Sequence, residues 1–221
     1  MTRQRPRVLL VEDLVVMRQG FALCHPTLDV VGTYDSTEEL LESGPPEADL
    51  IILDLQLRTP DGSQHQGTEA VENVAGLGIP ICLYTSESRR LVLARCLRAG
   101  AHGVVHKQEP LEEATRAFHA VAAGATCVSG FLLGLAELLE RSGDLPDLSP
   151  RQRQVLAARA RGEKWDSIAR RLYITPSVAR EHMDAVNRKL ADHLQSASPA
   201  DLERALGLAP GDLLDTASHL Q

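Results

Sequence analysis

Five short apolar runs, evenly interleaved with segments of helical character, limit this chain's fold more than any other feature. They are "RVLLV" from Arg7, "DVVGTY" from Asp29, "DLIILDL" from Asp49, "PICLYT" from Pro80 and "GVVHK" from Gly103. None alternates polar with apolar residues, so each predicts a strand buried on both faces. Such strands belong to a parallel sheet covered by helices on either side. The intervening segments supply those helices: "VVMRQGFALC", "STEELLES", "TEAVENVAG", "SRRLVLARCLRAG" and "LEEATRAFHAVAAG". Five βα units make a doubly wound α/β domain of about 120 residues, whose sites form at the carboxyl ends of the strands.

That domain accounts for little more than half of the 221 residues, so a second domain is expected. Charge marks it. Residues 1–147 carry a net −9, residues 148–191 a net +6 and the remainder −4, against −7 for the whole chain. A basic block within an acidic chain is a local field that attracts polyanions. Only 3% of the residues are aromatic, which argues against a base-stacking surface for single strands. Cys24, Cys82, Cys96 and Cys127 stand far apart with no CxxC, so neither a disulfide framework nor a zinc knuckle is indicated, and a reduced cytoplasm fits. The apolar run near the N-terminus is cut short by Glu12 and Asp13, and the uncharged stretch 120–136 is broken by glycines and hydroxyl residues, so neither a secretory segment nor a membrane span is expected.

The polar residues of the first domain fall where sites form. Glu12 and Asp13 follow the first strand, Asp54 ends the third, Thr85 the fourth and Lys107 the fifth. Clustered carboxylates repel one another unless a cation lies among them, and an all-oxygen set suits Mg²⁺. Asp54 could then attack a phosphoryl group while the Lys107 ammonium and the Thr85 hydroxyl meet the charge on its oxygens. His102 and His106 lie four apart across a strand, which is no metal-binding face.

Through "VLLVEDL", "IILDLQL", "LYTS" and "AGAHGVVHK", residues 6–122 resemble the receiver domain of two-component response regulators. The resemblance implies a flavodoxin-like (βα)5 fold and a phosphoacceptor at Asp54. It also implies Mg²⁺ held by Glu12, Asp13, Asp54 and the main-chain carbonyl of Gln56, with Thr85 and Lys107 contacting the phosphoryl group. Three departures stand out. Arg58 takes the place of a usual proline, and "RTPDGSQHQG" adds roughly five residues before Gly67. Val104 stands where the family has an aromatic switch residue, and the proline usual after the lysine comes later, at Pro110.

"SGDLPDLSPRQRQVL" marks a boundary and a capped helix start at Ser149-Pro150-Arg151-Gln152. That helix runs to Arg161 and stops at Gly162. "KWDSIARRLYI" buries Ile168, Ala169 and Leu172, and Thr175-Pro176 opens a third helix, "PSVAREHMDAVNRKL". The last two form a helix-turn-helix whose second helix enters the major groove. Residues 148–190 resemble the LuxR-type output domain of NarL/FixJ regulators. On that resemblance Arg180 faces the groove, with Glu181 and Asp184 beside it. Arginine can grip guanine in bidentate fashion, whereas an acid accepts from cytosine and repels phosphate. Arg188 and Lys189 are expected on phosphates, with Ser177 and His182 also at the interface. The tail carries Leu202, Leu206, Leu213 and Leu214, an apolar stripe read as packing or a dimer contact.

The expected organisation is a receiver over 1–124, a linker over 125–147 and a helix-turn-helix domain with an extended tail over 148–221. The leading functional expectation is a transcriptional regulator, not an enzyme: a sensor histidine kinase phosphorylates Asp54, and the chain binds double-stranded DNA as a homodimer. A receiver governed by a ligand or partner without phosphate is the second reading. An aspartyl phosphatase is the third, and the weakest, because Gln56 stands where its general acid would be.

Overall fold

The computed structural model describes residues 5–58, 64–66, 68–128, 130–145, 147–206 and 211. The chain divides into two compact units, Met1–Cys127 and Val128–Gln221.

In the first unit the expected strands and helices alternate. β1 (Arg7–Val11), β2 (Asp29–Tyr34) and β3 (Leu50–Leu53) are joined through α1 (Val15–Cys24) and α2 (Thr37–Glu42). Beyond β3 lie two short strands, β4 (Gln56–Arg58) and β5 (Gln64–Gln66), and then α3 (Thr68–Ala75). β6 (Ile81–Thr85), α4 (Arg90–Arg98), β7 (Gly103–His106) and α5 (Leu111–Ala122) follow, with a two-residue edge strand, β8 (Cys127–Val128). The main sheet has the order β2-β1-β3-β6-β7-β8, and the pairings among its first five strands are all parallel. The order reverses between β1 and β3, so the crevice at that switch point opens at their carboxyl ends.

Side chains two apart along a strand share a face. Val8, Leu10, Leu50, Ile52, Cys82, Tyr84 and Val105 pack with Phe21 and Leu28 and with Ala114, Ala117, Phe118 and Val121 of α5. The alternate set, Leu9, Val11, Ile51, Leu53, Leu83 and Val104, is just as buried, and α2 to α4 carry buried apolar residues of their own, among them Leu40, Val71, Val74, Leu93 and Leu97. Burial on both faces is why these runs lack alternation. Between β6 and β8 the residue on β7 has to be Gly103: a Cβ there would lie 2.7 Å from Val121 Cγ2 and 3.0 Å from Cys82 Sγ.

The loop after Asp54 opens as an antiparallel hairpin, β4 on β5, pairing Leu57 with His65. The rest of the "RTPDGSQHQG" expansion, including Gly67, lies outside the described residues.

In the second unit, α6 (Gly130–Ser142) occupies much of the stretch read as linker, and buries Leu133, Leu135, Ala136 and Leu139. α7 (Pro150–Ala160) starts with a complete capping box: the Ser149 side chain accepts from Gln152 N–H, and Gln152 Oε1 accepts from Ser149 N–H at 2.9 Å. α8 (Trp165–Leu172) ends on Tyr173, a left-handed residue (φ 54°) that is 95% exposed. α9 (Pro176–Ser196) is capped by the Thr175 side chain and runs six residues beyond Leu190, because Ala191 and Leu194 prolong the buried stripe of Val186 and Leu190. α10 (Pro199–Leu206) carries the tail leucines 202 and 206; Leu213 and Leu214 lie outside the described residues. Among the described residues no helix is long and apolar enough to cross a membrane.

Candidate functional site

Backbone ladders that run one residue past the strands aim the polar side chains. Asp54 N–H donates to Val11 O (3.0 Å), Glu12 N–H to Tyr34 O (3.0 Å) and Lys107 N–H to Thr85 O (2.9 Å). The first residue after each strand is therefore held almost as firmly as the sheet itself. At that edge the Lys107 ammonium donates to Glu12 Oε2 at 2.6 Å and to Asp54 Oδ2 at 2.8 Å. Glu12, Asp54 and Thr85 are buried, and the Lys107 side chain is only 13% exposed. One oxygen each of Glu12, Asp13 and Asp54 lie within 4.8 Å of one another. The five polar residues singled out by their positions after strands thus lie along a single sheet edge.

Beside the carboxylates of Glu12 and Asp13, Asp54 Oδ1 is buried without a hydrogen-bond partner among the described residues. Burial pushes the Glu12 carboxyl above the ordinary glutamate range; the Lys107 contact opposes this and the neighbouring Asp54 charge adds to it. Burial would depress the Lys107 ammonium, but Asp54 and Glu12 outweigh it and hold the amine protonated above its ordinary value. An orphaned carboxylate oxygen in an all-oxygen, acid-rich cleft fits a hard divalent cation.

Three supporting features carried no sequence signal. Arg18 on α1 folds back, and its Nη1 donates to the carbonyls of Glu12 and, at 2.9 Å, Asp13, fixing the acid pair's loop. Lys107 Nζ lies 6.0 Å from the centroid of the Tyr84 ring, which packs edge-on against Phe21, His25 and Phe118. Thr85 Oγ accepts from Glu87 N–H at 3.1 Å, and Glu87 pairs with Arg89 at 2.6 Å. Val104 is buried in the sheet. The two histidines serve strand ends: His106 Nδ1 accepts from Gln108 N–H and Nε2 meets Ser86 O, while His102 Nδ1 accepts from Ile81 N–H.

In the second unit Ser177, Glu181, Asp184 and Arg188 are exposed at spacings that put them on one stripe of α9. Arg180 and His182 are half-buried. Lys189 is turned inward, its amine donating to Asp147 O and, at 3.3 Å, to Gln152 Oε1, the acceptor of the α7 capping box.

A five-stranded parallel core with an acid triad, a hydroxyl and a lysine at one edge, followed by a capped helix-turn-helix, defines the class: a receiver joined to a helical output unit. Residues 8–119 match the response regulator receiver domain family, and the chain belongs to the response regulators, in their NarL/FixJ branch. It is 29% identical over 203 residues to the nitrate/nitrite response regulator NarL of Escherichia coli, covering 86% of this chain and 92% of that one. Over 186 residues it is 30% identical to the transcriptional regulatory protein UhpA of Escherichia coli, covering 83% and 90%. Its fold is similar to that of Salmonella enterica serovar Typhimurium RcsB bound to the promoter P1flhDC with the phosphomimetic BeF3⁻ (TM-score 0.54, 20% identity, 91% and 98% covered). It is also similar to that of RcsB in a structure of two dimers on two parallel DNAs (TM-score 0.52, 20% identity, 92% and 98% covered).

Proposed function

We propose that this chain is a phosphorylation-controlled, DNA-binding transcriptional regulator of a two-component system, with Asp54 as the phosphoacceptor. The observation that carries the reading is the buried Asp54 carboxylate with one oxygen on Lys107 and the other without a partner among the described residues. Asp54 is held by the sheet, so its carboxylate attacks from a fixed position. A new bond forms between an Asp54 oxygen and phosphorus, the bond from phosphorus to the donor breaks, and the donor departs with that electron pair. Glu12, Asp13, Asp54 and the main-chain carbonyl of Gln56 would hold Mg²⁺, which neutralises charge on the transferring group. Lys107 turns from the carboxylates to a phosphoryl oxygen, and the Thr85 hydroxyl donates to another. The first transfer needs a donor, assigned here to a sensor histidine kinase.

The acylphosphate adds charge beside Lys107 and Thr85 and shifts the receiver between two arrangements, which changes DNA binding or dimerisation. DNA is met by α9 through Ser177, Glu181, Asp184 and Arg188, by Arg180, and by His182 at the edge of the contact. The chain acts in the cytoplasm as a homodimer on duplex DNA.

The test is to measure duplex affinity of the full chain before and after incubation with Mg²⁺ and a small acyl phosphate. A change in affinity that Asp54→Asn abolishes supports the reading. Unchanged affinity in a chain shown by mass to be phosphorylated favours a receiver that works without phosphate, a reading to which Val104 at the switch position gives weight.

A further inference from the structure

The chain has a single tryptophan, Trp165, the first residue of α8 and half-buried. Two guanidinium groups lie over its ring. Arg159, near the end of α7, has Cζ 4.4 Å from the ring centroid, and Arg180, in the second turn of α9, has Cζ at 5.4 Å. The indole is therefore where three helices meet. Among the described residues the Nε of each arginine is buried without a hydrogen-bond partner, and Arg159 Nη1 donates to Glu163 O at 2.8 Å. The two cations stand within about 10 Å of each other, on the order of the ~8 Å screening length at physiological salt, so only part of their repulsion is felt. Attraction to the ring face offsets that repulsion.

The surroundings favour an anion. Lys164, exposed, is the N-cap residue of α8 and makes no side-chain cap hydrogen bond, so a further cation stands at the positive end of that helix. Two acids are near. Asp166 is exposed in the first turn, and the Glu163 carboxylate is drawn off by Arg171 at 2.9 Å.

At 100° per residue, Arg180 lies roughly 70° around α9 from the centre of the exposed stripe of Ser177, Glu181, Asp184 and Arg188. Turned onto Trp165, it stands on the stripe's flank and not on its crest. When a helix lies in a groove, its crest meets base edges and its flanks meet the phosphate walls.

Resting on the DNA-binding reading above, we propose that Trp165 is a positioning residue which, together with Arg159, holds Arg180 as a binder of a DNA backbone phosphate. Arg180 is then not the reader of a base, and base selection falls to Glu181, Asp184 and Arg188. To reach a base edge Arg180 has to leave the indole, which costs roughly two- to thirtyfold in affinity, the range of a cation–ring contact.

The test uses the full chain, with and without phosphodonor treatment. Its probes are a random-sequence duplex and a duplex that the wild type selects from a randomised pool. Arg180→Ala is expected to weaken both by the same factor, to keep the selected base preferences, and to reduce the slope of log affinity against log salt by about 0.9. Trp165→Leu is expected to lower the slope in part, and Trp165→Phe to restore it. Trp165 also reports directly: its fluorescence changes when random duplex is added to the wild type, and that response is lost in Arg180→Ala, which keeps the test open should Trp165→Leu fail to fold. Arg180→Ala that relaxes preference at one base pair with an unchanged slope overturns the proposal, as does a folded Trp165→Leu with wild-type slope and affinity. A wild type that binds neither duplex at low salt, in either state, removes the DNA-binding reading itself.

Discussion

Replacing Lys107 by methionine keeps the length of the side chain and removes its charge. In the wild type that charge answers Glu12 at 2.6 Å and Asp54 at 2.8 Å in a nearly dry cleft. Without it, three carboxylates share a pocket that already contains an unpartnered Asp54 oxygen. Breaking a buried pair by removing one partner costs about 3–5 kcal/mol, a large part of a typical domain's stability of about 5–15 kcal/mol. With a urea slope near 2 kcal/mol per molar, the unfolding midpoint without divalent cations should fall by about 1.5–2.5 M. Two conditions should restore it. Mg²⁺ takes up the uncompensated charge and, at a hundred times its Kd, returns about 2.7 kcal/mol. Acid does the same by protonating Glu12. Its folded pKa is already raised by burial, and the loss of Lys107 raises it further. A carboxyl with a raised folded pKa contributes stability that is complete below its unfolded pKa and lost as pH climbs through the folded one. Lowering the pH toward the ordinary glutamate range should therefore raise the variant's midpoint relative to wild type. A midpoint within 0.3 M of wild type without Mg²⁺ (an order-of-magnitude margin), or a loss that neither Mg²⁺ nor acid reverses, would refute the electrostatic argument.

Other consequences can be measured one at a time. Gly103→Ala sets a methyl against Val121 and Cys82 and should destabilise the first unit by about 1–3 kcal/mol in a denaturant melt. In the folded chain, Cys24 should react with iodoacetamide while Cys82 and Cys96 do not, because both are buried and the Cys96 thiol is pushed up to about 12; peptide mapping after a short exposure checks this. Ser149→Ala removes the α7 cap and should cost about 1 kcal/mol in thermal stability of the second unit. Lys189→Met should lower that stability as well, because its amine is tied to Asp147 O and Gln152.

How much of this was legible in the sequence depended on how local the cause was. Apolar runs without alternation report burial on both faces, and β1, β3, β6 and β7 lie within a residue or two of where "RVLLV", "DLIILDL", "PICLYT" and "GVVHK" put them. Polar residues just after such runs had to gather along one edge once the sheet was parallel, so Glu12, Asp13, Asp54, Thr85 and Lys107 could be read before any geometry was known. Capping is local too, and Ser149 and Thr175 were visible as helix starts. Contacts between distant segments were not. Nothing in "VVMRQGF" marks Arg18 as a clamp on the Glu12 and Asp13 carbonyls, and nothing near Trp165 names Arg159 and Arg180 as its partners. The end of α9 was read too early because the buried stripe continues through Ala191 and Leu194 past the motif at Leu190.

The most direct measurement is the location of the phosphoryl group. The full chain is incubated with a small acyl phosphate, with Mg²⁺ or with a chelator, and its peptides are mapped by mass. One hydroxylamine-labile phosphoryl group on the peptide containing Asp54, formed only with Mg²⁺ and absent from Asp54→Asn, is the predicted result. A label on another residue, the same label in chelator, or no label on a folded chain would contradict it.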